Sequence, residues 1–231
     1  MKTIGLLGGM SWESTALYYR LINEGVRERM GGLHSAKIAM VSVDFHEIET
    51  LQHAGNWDQA GARLARSAQQ VEAAGANFLL ICTNTMHKVM PRIAENLTIP
   101  ILHLADATAR RILSRGMSTV GLLGTAFTME QDFYKGRLEQ EHGLTVITPT
   151  AADRKIVHDV IYEELCLGQV NPESRARYLR IIDEMVAVGA EGVIEGCTEI
   201  VMLVDQEHTA VPLFDTTAIH AQEAVTMALE V

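Results

Sequence analysis

Gly75-Ala76-Asn77-Phe78-Leu79-Leu80-Ile81-Cys82-Thr83-Asn84-Thr85 is matched, 114 residues further on, by Gly189-Ala190-Glu191-Gly192-Val193-Ile194-Glu195-Gly196-Cys197-Thr198-Glu199. Each copy is a short apolar run entered from a Gly-Ala turn and left through hydroxyl- or thiol-bearing residues, the pattern of a buried strand. Upstream, Ile4-Gly5-Leu6-Leu7-Gly8 matches Val120-Gly121-Leu122-Leu123-Gly124 at a displacement of 116. Downstream, Ile99-Pro100-Ile101-Leu102-His103 matches Val211-Pro212-Leu213-Phe214-Asp215 at a displacement of 112. Three matches in one order at nearly constant spacing define a duplicated unit of about 115 residues.

The strand-like runs are Thr3–Leu7, Lys37–Val43, Phe78–Cys82 and Ile99–His103 in the first copy. In the second they are Val120–Leu123, Leu144–Ile147, Gly192–Ile194 and Val211–Phe214. Helical patterns such as Ser14–Arg29, Trp57–Ala74 and Pro172–Val188 lie between them. Strands alternating with helices predict parallel sheets covered by helices. The expected fold is α/β, with two duplicated Rossmann-like domains, residues 1–115 and 116–231, each built on a four-stranded parallel sheet. The C-terminal helix is a candidate to pack on the first half. Duplicated halves pack as a rule about a pseudo-two-fold axis, and ligands of open parallel sheets bind beyond the carboxyl ends of the strands. The active site is therefore expected between the halves, with the equivalent residues Thr83 and Cys197 on opposite sides of one ligand.

Composition narrows the function. A net charge of −10 without any basic run argues against nucleic acid and anionic membranes, which select clustered Lys and Arg. The apolar runs are strand-length, well short of the roughly 18 residues of a membrane span, and the N-terminus moves directly into a Gly turn without the features of a signal peptide. A cytoplasmic location is expected. The three cysteines, Cys82, Cys166 and Cys197, are widely separated and form no CxxC pair, and the histidines form no HxH or HxxxH pair. A disulfide framework or a metal site is thus not expected. Neither GxGxxG nor GxxxxGK[ST] occurs at the glycine turns, which argues against nucleotide binding.

The question becomes which single thiol reacts. Cys197 follows a strand and a glycine and precedes a helical stretch, where backbone amides favour a thiolate, while Glu199 opposes it. Cys82 reads as core and Cys166 as a structural residue late in a helix. Thr83, Asn84 and Thr85 read both as a helix cap and as an anion site. The turns at Met10-Ser11 and Thr125 to Thr128 bring small residues and hydroxyls to where amides can approach a carboxylate. Trp12, Tyr18 and Tyr19 fit one helix, as core or as part of a dimer interface.

Gly8-Gly9-Met10-Ser11, Asn84-Thr85-Met86-His87 and Gly196-Cys197-Thr198-Glu199 together resemble the aspartate/glutamate racemase family, nearest its aspartate racemase branch. The resemblance covers the whole chain, duplication included. It implies two similar α/β domains, a homodimer, and proton exchange at the α-carbon of an acidic amino acid without metal or pyridoxal phosphate. It also implies one catalytic cysteine per half, and here Thr83 stands in place of the first. Relatives carry an Arg and a Lys near the positions of Gln52 and Cys166. On this resemblance Cys197 is the base towards the L enantiomer and Thr83 serves the opposite face. Met10, Ser11, Gln52, Asn84, Thr85, Thr125, Thr128, Thr198 and Glu199 are expected to bind substrate. The loss of one cysteine keeps two alternatives in view: a single-cysteine decarboxylase or cis–trans isomerase, and a non-catalytic protein binding acidic amino acids.

Overall fold

The structure, a computed structural model, describes residues 1–230. The chain forms two compact units, residues 1–104 with 220–230, and residues 105–219. The first unit thus ends earlier than residue 115, and the chain returns to it at His220.

The first sheet has the order β2-β1-β3, all parallel, from β1 (Ile4–Gly8), β2 (Ile38–Ser42) and β3 (Phe78–Ile81). Every residue of β1 and β3 is buried. Their unbroken apolar runs reflect cover on both faces rather than one. On one face Ile4, Leu6, Phe78, Leu80 and Cys82 pack with Tyr18, Ile22 and Val26 of α1 (Trp12–Met30) and with Ala221, Ala224 and Val225 near the C-terminus. On the other, Leu7, Leu79 and Ile81 meet Ile48 of α2 (Phe45–His53) and Leu64, Ala68 and Val71 of α3 (Trp57–Ala73). Each fully buried Val, Leu, Ile or Phe among them contributes about 1.5–3 kcal/mol, the alanines less. After β3 come a 3₁₀ turn, Thr85–Val89, and α4 (Met90–Ala94).

The fourth strand expected at Ile99–His103 is reduced to one parallel bridge, Leu79 to Ile101. Leu79 N donates to Pro100 O and Leu102 N to Leu79 O, both at 2.9 Å, after which the chain turns into α5 (Leu104–Ser114). The first sheet therefore has three strands where four were expected.

The second sheet has the order β5-β4-β6-β7, again parallel, from β4 (Thr119–Leu123), β5 (Thr145–Ile147), β6 (Val193–Glu195) and β7 (Leu213–Asp215). Its helices are α6 (Ala126–Glu130), α7 (Lys135–His142), α8 (Ala151–Glu163), α9 (Pro172–Ala187) and α10 (Ile200–Leu203). Pro172 at the first helical position and Asn171, whose side chain accepts from Glu173 N at 2.9 Å, set the start of α9. The last helix, α11 (Thr216–Leu229), begins in the second unit and continues into the first. No helix among the described residues is long and apolar enough to cross a membrane.

Candidate active site

The duplication seen in the sequence is present in the hydrogen bonds of each unit. In the first, Cys82 N donates to Leu7 O at 2.9 Å; in the second, Gly196 N donates to Leu123 O at 2.7 Å. Leu7 and Leu123 hold the same place in their strands, so Cys82 corresponds to Gly196 and Thr83 to Cys197. Each of the latter pair lies two residues past the end of the third strand of its unit, and each is partly buried. Gly196 is required for this approach, since a Cβ there would lie 2.7 Å from Leu123 O.

In the second unit, Cys197 Sγ donates to Glu199 Oε2 at 2.8 Å. Burial, and then the Glu199 carboxylate, hold the thiol well above its ordinary range. The backbone amide of Glu199, just before α10, favours a thiolate but is outweighed. Cys197 accordingly rests as a thiol. Thr198 Oγ1 lies 3.3 Å from Thr217 Oγ1 at the start of α11. The turn after β4 supplies Thr125 and Thr128, both buried, with their hydroxyls 3.3 Å apart. A Cβ on Gly124 would lie 3.2 Å from Gly196 O, so this turn and the Cys197 turn touch. Thr125, Thr128, Cys197, Thr198 and Glu199 are thus gathered at the carboxyl end of the second sheet.

In the first unit, Ser11 caps α1 by accepting from Ser14 N at 3.2 Å, and Ser14 Oγ donates to Cys82 O at 3.3 Å. Met10 and Met86 share one buried cluster. These contacts gather Met10, Ser11, Thr83, Asn84 and Thr85 at the carboxyl end of the first sheet. Asn84 is buried and Thr85 partly so; the 3₁₀ turn that follows has no side-chain cap, so Thr83 does not act as the cap its sequence suggests. Gln52 is buried on α2, one turn beyond Ile48, which packs in the same cluster as Met10. Gly9 closes the first turn with φ +93°, and its N donates to Thr15 Oγ1 at 2.8 Å.

Cys82 is fully buried in the core, and burial pushes its thiol up. Cys166 is exposed in a 3₁₀ turn, Leu165–Leu167, rather than late in a helix. Tyr18 is buried, whereas Trp12 and Tyr19 are exposed. Among the described residues, no group of three or more His, Cys, Asp or Glu is disposed to hold a metal ion.

Two residues that the sequence reading quoted but did not weigh stand out. Glu195, the last residue of β6, is 4% exposed, and its Oε1 has no hydrogen-bond partner among the described residues. Burial, then Asp215 and Asp205, push its carboxyl up to about 8. The signal was a carboxylate at the end of an apolar strand. His87 is also buried, and its Nδ1 lies 2.8 Å from Thr83 O; the signal was its place four residues after Thr83.

A sequence model described as Asp/Glu/hydantoin racemase matches residues 7–224. The broad specificity amino-acid racemase RacX of Bacillus subtilis (strain 168) is 22% identical over 228 residues, 96% of each chain. A Yersinia pestis crystal structure, described provisionally as an Asp/Glu racemase, is 53% identical over the whole of both chains with a TM-score of 0.96. An aspartate racemase homologue from Pyrococcus horikoshii OT3 is 34% identical over the whole of both chains, with a TM-score of 0.88. At 12% identity and a TM-score of 0.56, a variant of arylmalonate decarboxylase shares the fold across 99% of this chain and 93% of its own.

Proposed function

Because the chain belongs to the Asp/Glu/hydantoin racemase family of isomerases, we propose that it racemises acidic amino acids, aspartate or glutamate, without a cofactor. Cys197 exchanges the α-proton on one face and Thr83 serves the other. The observation that carries this reading is the equivalence of the two residues, set in each unit by the bond from the residue before to the leucine of the neighbouring strand.

Racemisation needs a base on one face of the α-carbon and an acid on the other. Cys197 rests as a thiol bonded to Glu199, so it must lose a proton before it can act as a base. Glu199 is placed to accept that proton, and the ammonium group of an amino-acid substrate would favour the resulting thiolate. The thiolate takes the α-proton of the L enantiomer. Amides near Met10, Asn84, Thr125 and Thr198 stabilise the enolate-like intermediate. The Thr83 hydroxyl, or a water it holds, delivers a proton to the opposite face and is reprotonated from solvent; Cys197 returns its proton by the same route.

A threonine hydroxyl is a poor base, yet L and D substrates have equal free energy in solution. kcat/KM must therefore be equal in the two directions, and Thr83 acts by slowing both or by setting kcat against KM. The test is α-proton exchange into deuterium oxide across L and D acidic amino acids. Exchange of L-aspartate or L-glutamate in the parent is expected to fall about 100- to 10,000-fold in Cys197→Ser, and Thr83→Cys is expected to raise kcat for the D enantiomer. Full activity in Cys197→Ser overturns the reading. Turnover of a malonate diacid with no exchange of aspartate or glutamate overturns it in favour of a decarboxylase.

A further inference from the structure

Thr83 lies where the chain leaves the first sheet, and its side chain can be aimed only as well as its backbone is held. Its N donates to Ile81 O at 2.9 Å, and its carbonyl is bonded by the ring of His87. His87 is 1% exposed, and its ring spans two backbone groups: Nδ1 at 2.8 Å from Thr83 O, and Nε2 at 3.3 Å from the amide N of Leu104, where the first segment of that unit ends. A carbonyl can only accept and an amide N–H can only donate. Nδ1 therefore carries the proton and Nε2 the lone pair, which makes His87 a neutral imidazole in one tautomer. His103 packs against it with ring centroids 4.6 Å apart, and His220 lies 6.1 Å away, itself held between the Tyr18 hydroxyl at 2.9 Å and Leu102 O at 2.8 Å.

The second unit solves the same problem differently. There the carbonyl of Cys197, equivalent to Thr83, is taken by the backbone N of Ile200 at 3.1 Å, and the position matching His87 is Val201. The imidazole thus replaces a backbone amide on the side of the site where a hydroxyl rather than a thiol stands.

We propose that His87 is the positioning residue for Thr83, with its Nδ1–H tautomer fixing the Thr83 carbonyl and so the aim of the hydroxyl on the second face of the substrate. This rests on the role given to Thr83 above. Misplacing a reacting group by about 1 Å costs on the order of 100-fold in rate, so losing the clamp is expected to slow inversion far more than proton exchange at the Cys197 face.

Two variants separate the ends of the ring. His87→Asn offers an amide donor near the Nδ1 position, whereas His87→Gln offers one near Nε2 and abandons Thr83. With an acidic amino acid in deuterium oxide, exchange with retention of L configuration reports the Cys197 face, and inversion reports both faces. His87→Gln is expected to lower inversion about tenfold or more while exchange with retention stays within about threefold; His87→Asn is expected to restore most of the inversion. Equal losses in both variants, or equal loss of inversion and exchange, overturn the proposal. Ring ¹⁵N chemical shifts of the parent test the clamp without turnover, and covers the case of variants that do not fold: an Nε2–H or doubly protonated His87 at neutral pH overturns it. A parent without any Cys197-dependent exchange, but with the Nδ1–H tautomer, would refute the racemase reading and the catalytic consequence drawn from the clamp, leaving its geometry intact.

Discussion

Glu195 offers a test of the buried electrostatics that depends on no substrate. Its carboxyl sits at about 8 against an ordinary 4.5, chiefly because burial at the end of β6 disfavours the charged form, with Asp215 in register beside it and Asp205 nearby. The folded-state pKa is raised, so between 4.5 and about 8 the folded chain holds a proton that the unfolded chain releases. Stability is fully present below the lower value and declines as pH rises, by up to about 1.4 kcal/mol per pH unit, until Glu195 has ionised in the folded state as well. From pH 6 to pH 8 the loss is about 2 kcal/mol, and above roughly pH 9 no more is lost from this group. Glu195→Gln keeps the shape and cannot ionise. Its amide has a packing and hydrogen-bonding cost of its own, but that cost is the same at every pH. The quantity to follow is therefore the difference in unfolding free energy between variant and parent, from urea titrations at pH 6, 7, 8 and 9. It should move in favour of the variant by about 2 kcal/mol between pH 6 and pH 8 and then level off. A difference that stays constant over this range would show that Glu195 is already ionised in the fold at pH 6, and the account of its burial would be wrong; one that keeps growing to pH 9 without levelling would place its carboxyl higher than about 8.

Removing the carboxylate beside the thiol in Glu199→Gln takes away one of the two main causes that hold Cys197 up. The pH profile of Cys197 alkylation should therefore shift to lower pH, and an unchanged profile would assign control of the thiol to burial alone. Gly9→Ala should destabilise the fold by about 2 kcal/mol or more, because φ is +93° and the new Cβ would fall 2.2 Å from Val43 O; a urea midpoint equal to the parent's would mean that the turn can be rebuilt.

Much of the fold was readable because burial on both sides leaves a direct trace in sequence. Phe78–Ile81 and Val193–Glu195 appear as short runs after Gly-Ala turns, and the helix at Trp57 shows Leu64, Ala68 and Val71 at helical spacing. Ile99–His103 read as a strand for the same reason, since Ile99, Ile101 and Leu102 are apolar. A ladder, however, depends on how long the chain stays beside its neighbour, and this segment departs into α5 after one bridge. Composition does not record that departure.

The site divides along the same line. The pairing of Thr83 with Cys197 is a property of the sequence alone, because a duplicated gene keeps its register and strand ends fall at matching places; the bonds from Cys82 N and Gly196 N agree with it. The state of the groups in that register was decided only by tertiary structure. The backbone amide and the carboxylate of Glu199 pull the Cys197 thiol in opposite directions, and the balance is set by burial beneath the surrounding elements and by where the carboxylate is held. In the same way nothing in the local sequence gives Glu195 a neutral carboxyl or ties the ring of His87 to Leu104, seventeen residues away. Periodicity states which faces are apolar; the partners and ionisation of a buried polar group follow from residues distant in the chain, and from the water that packing removes.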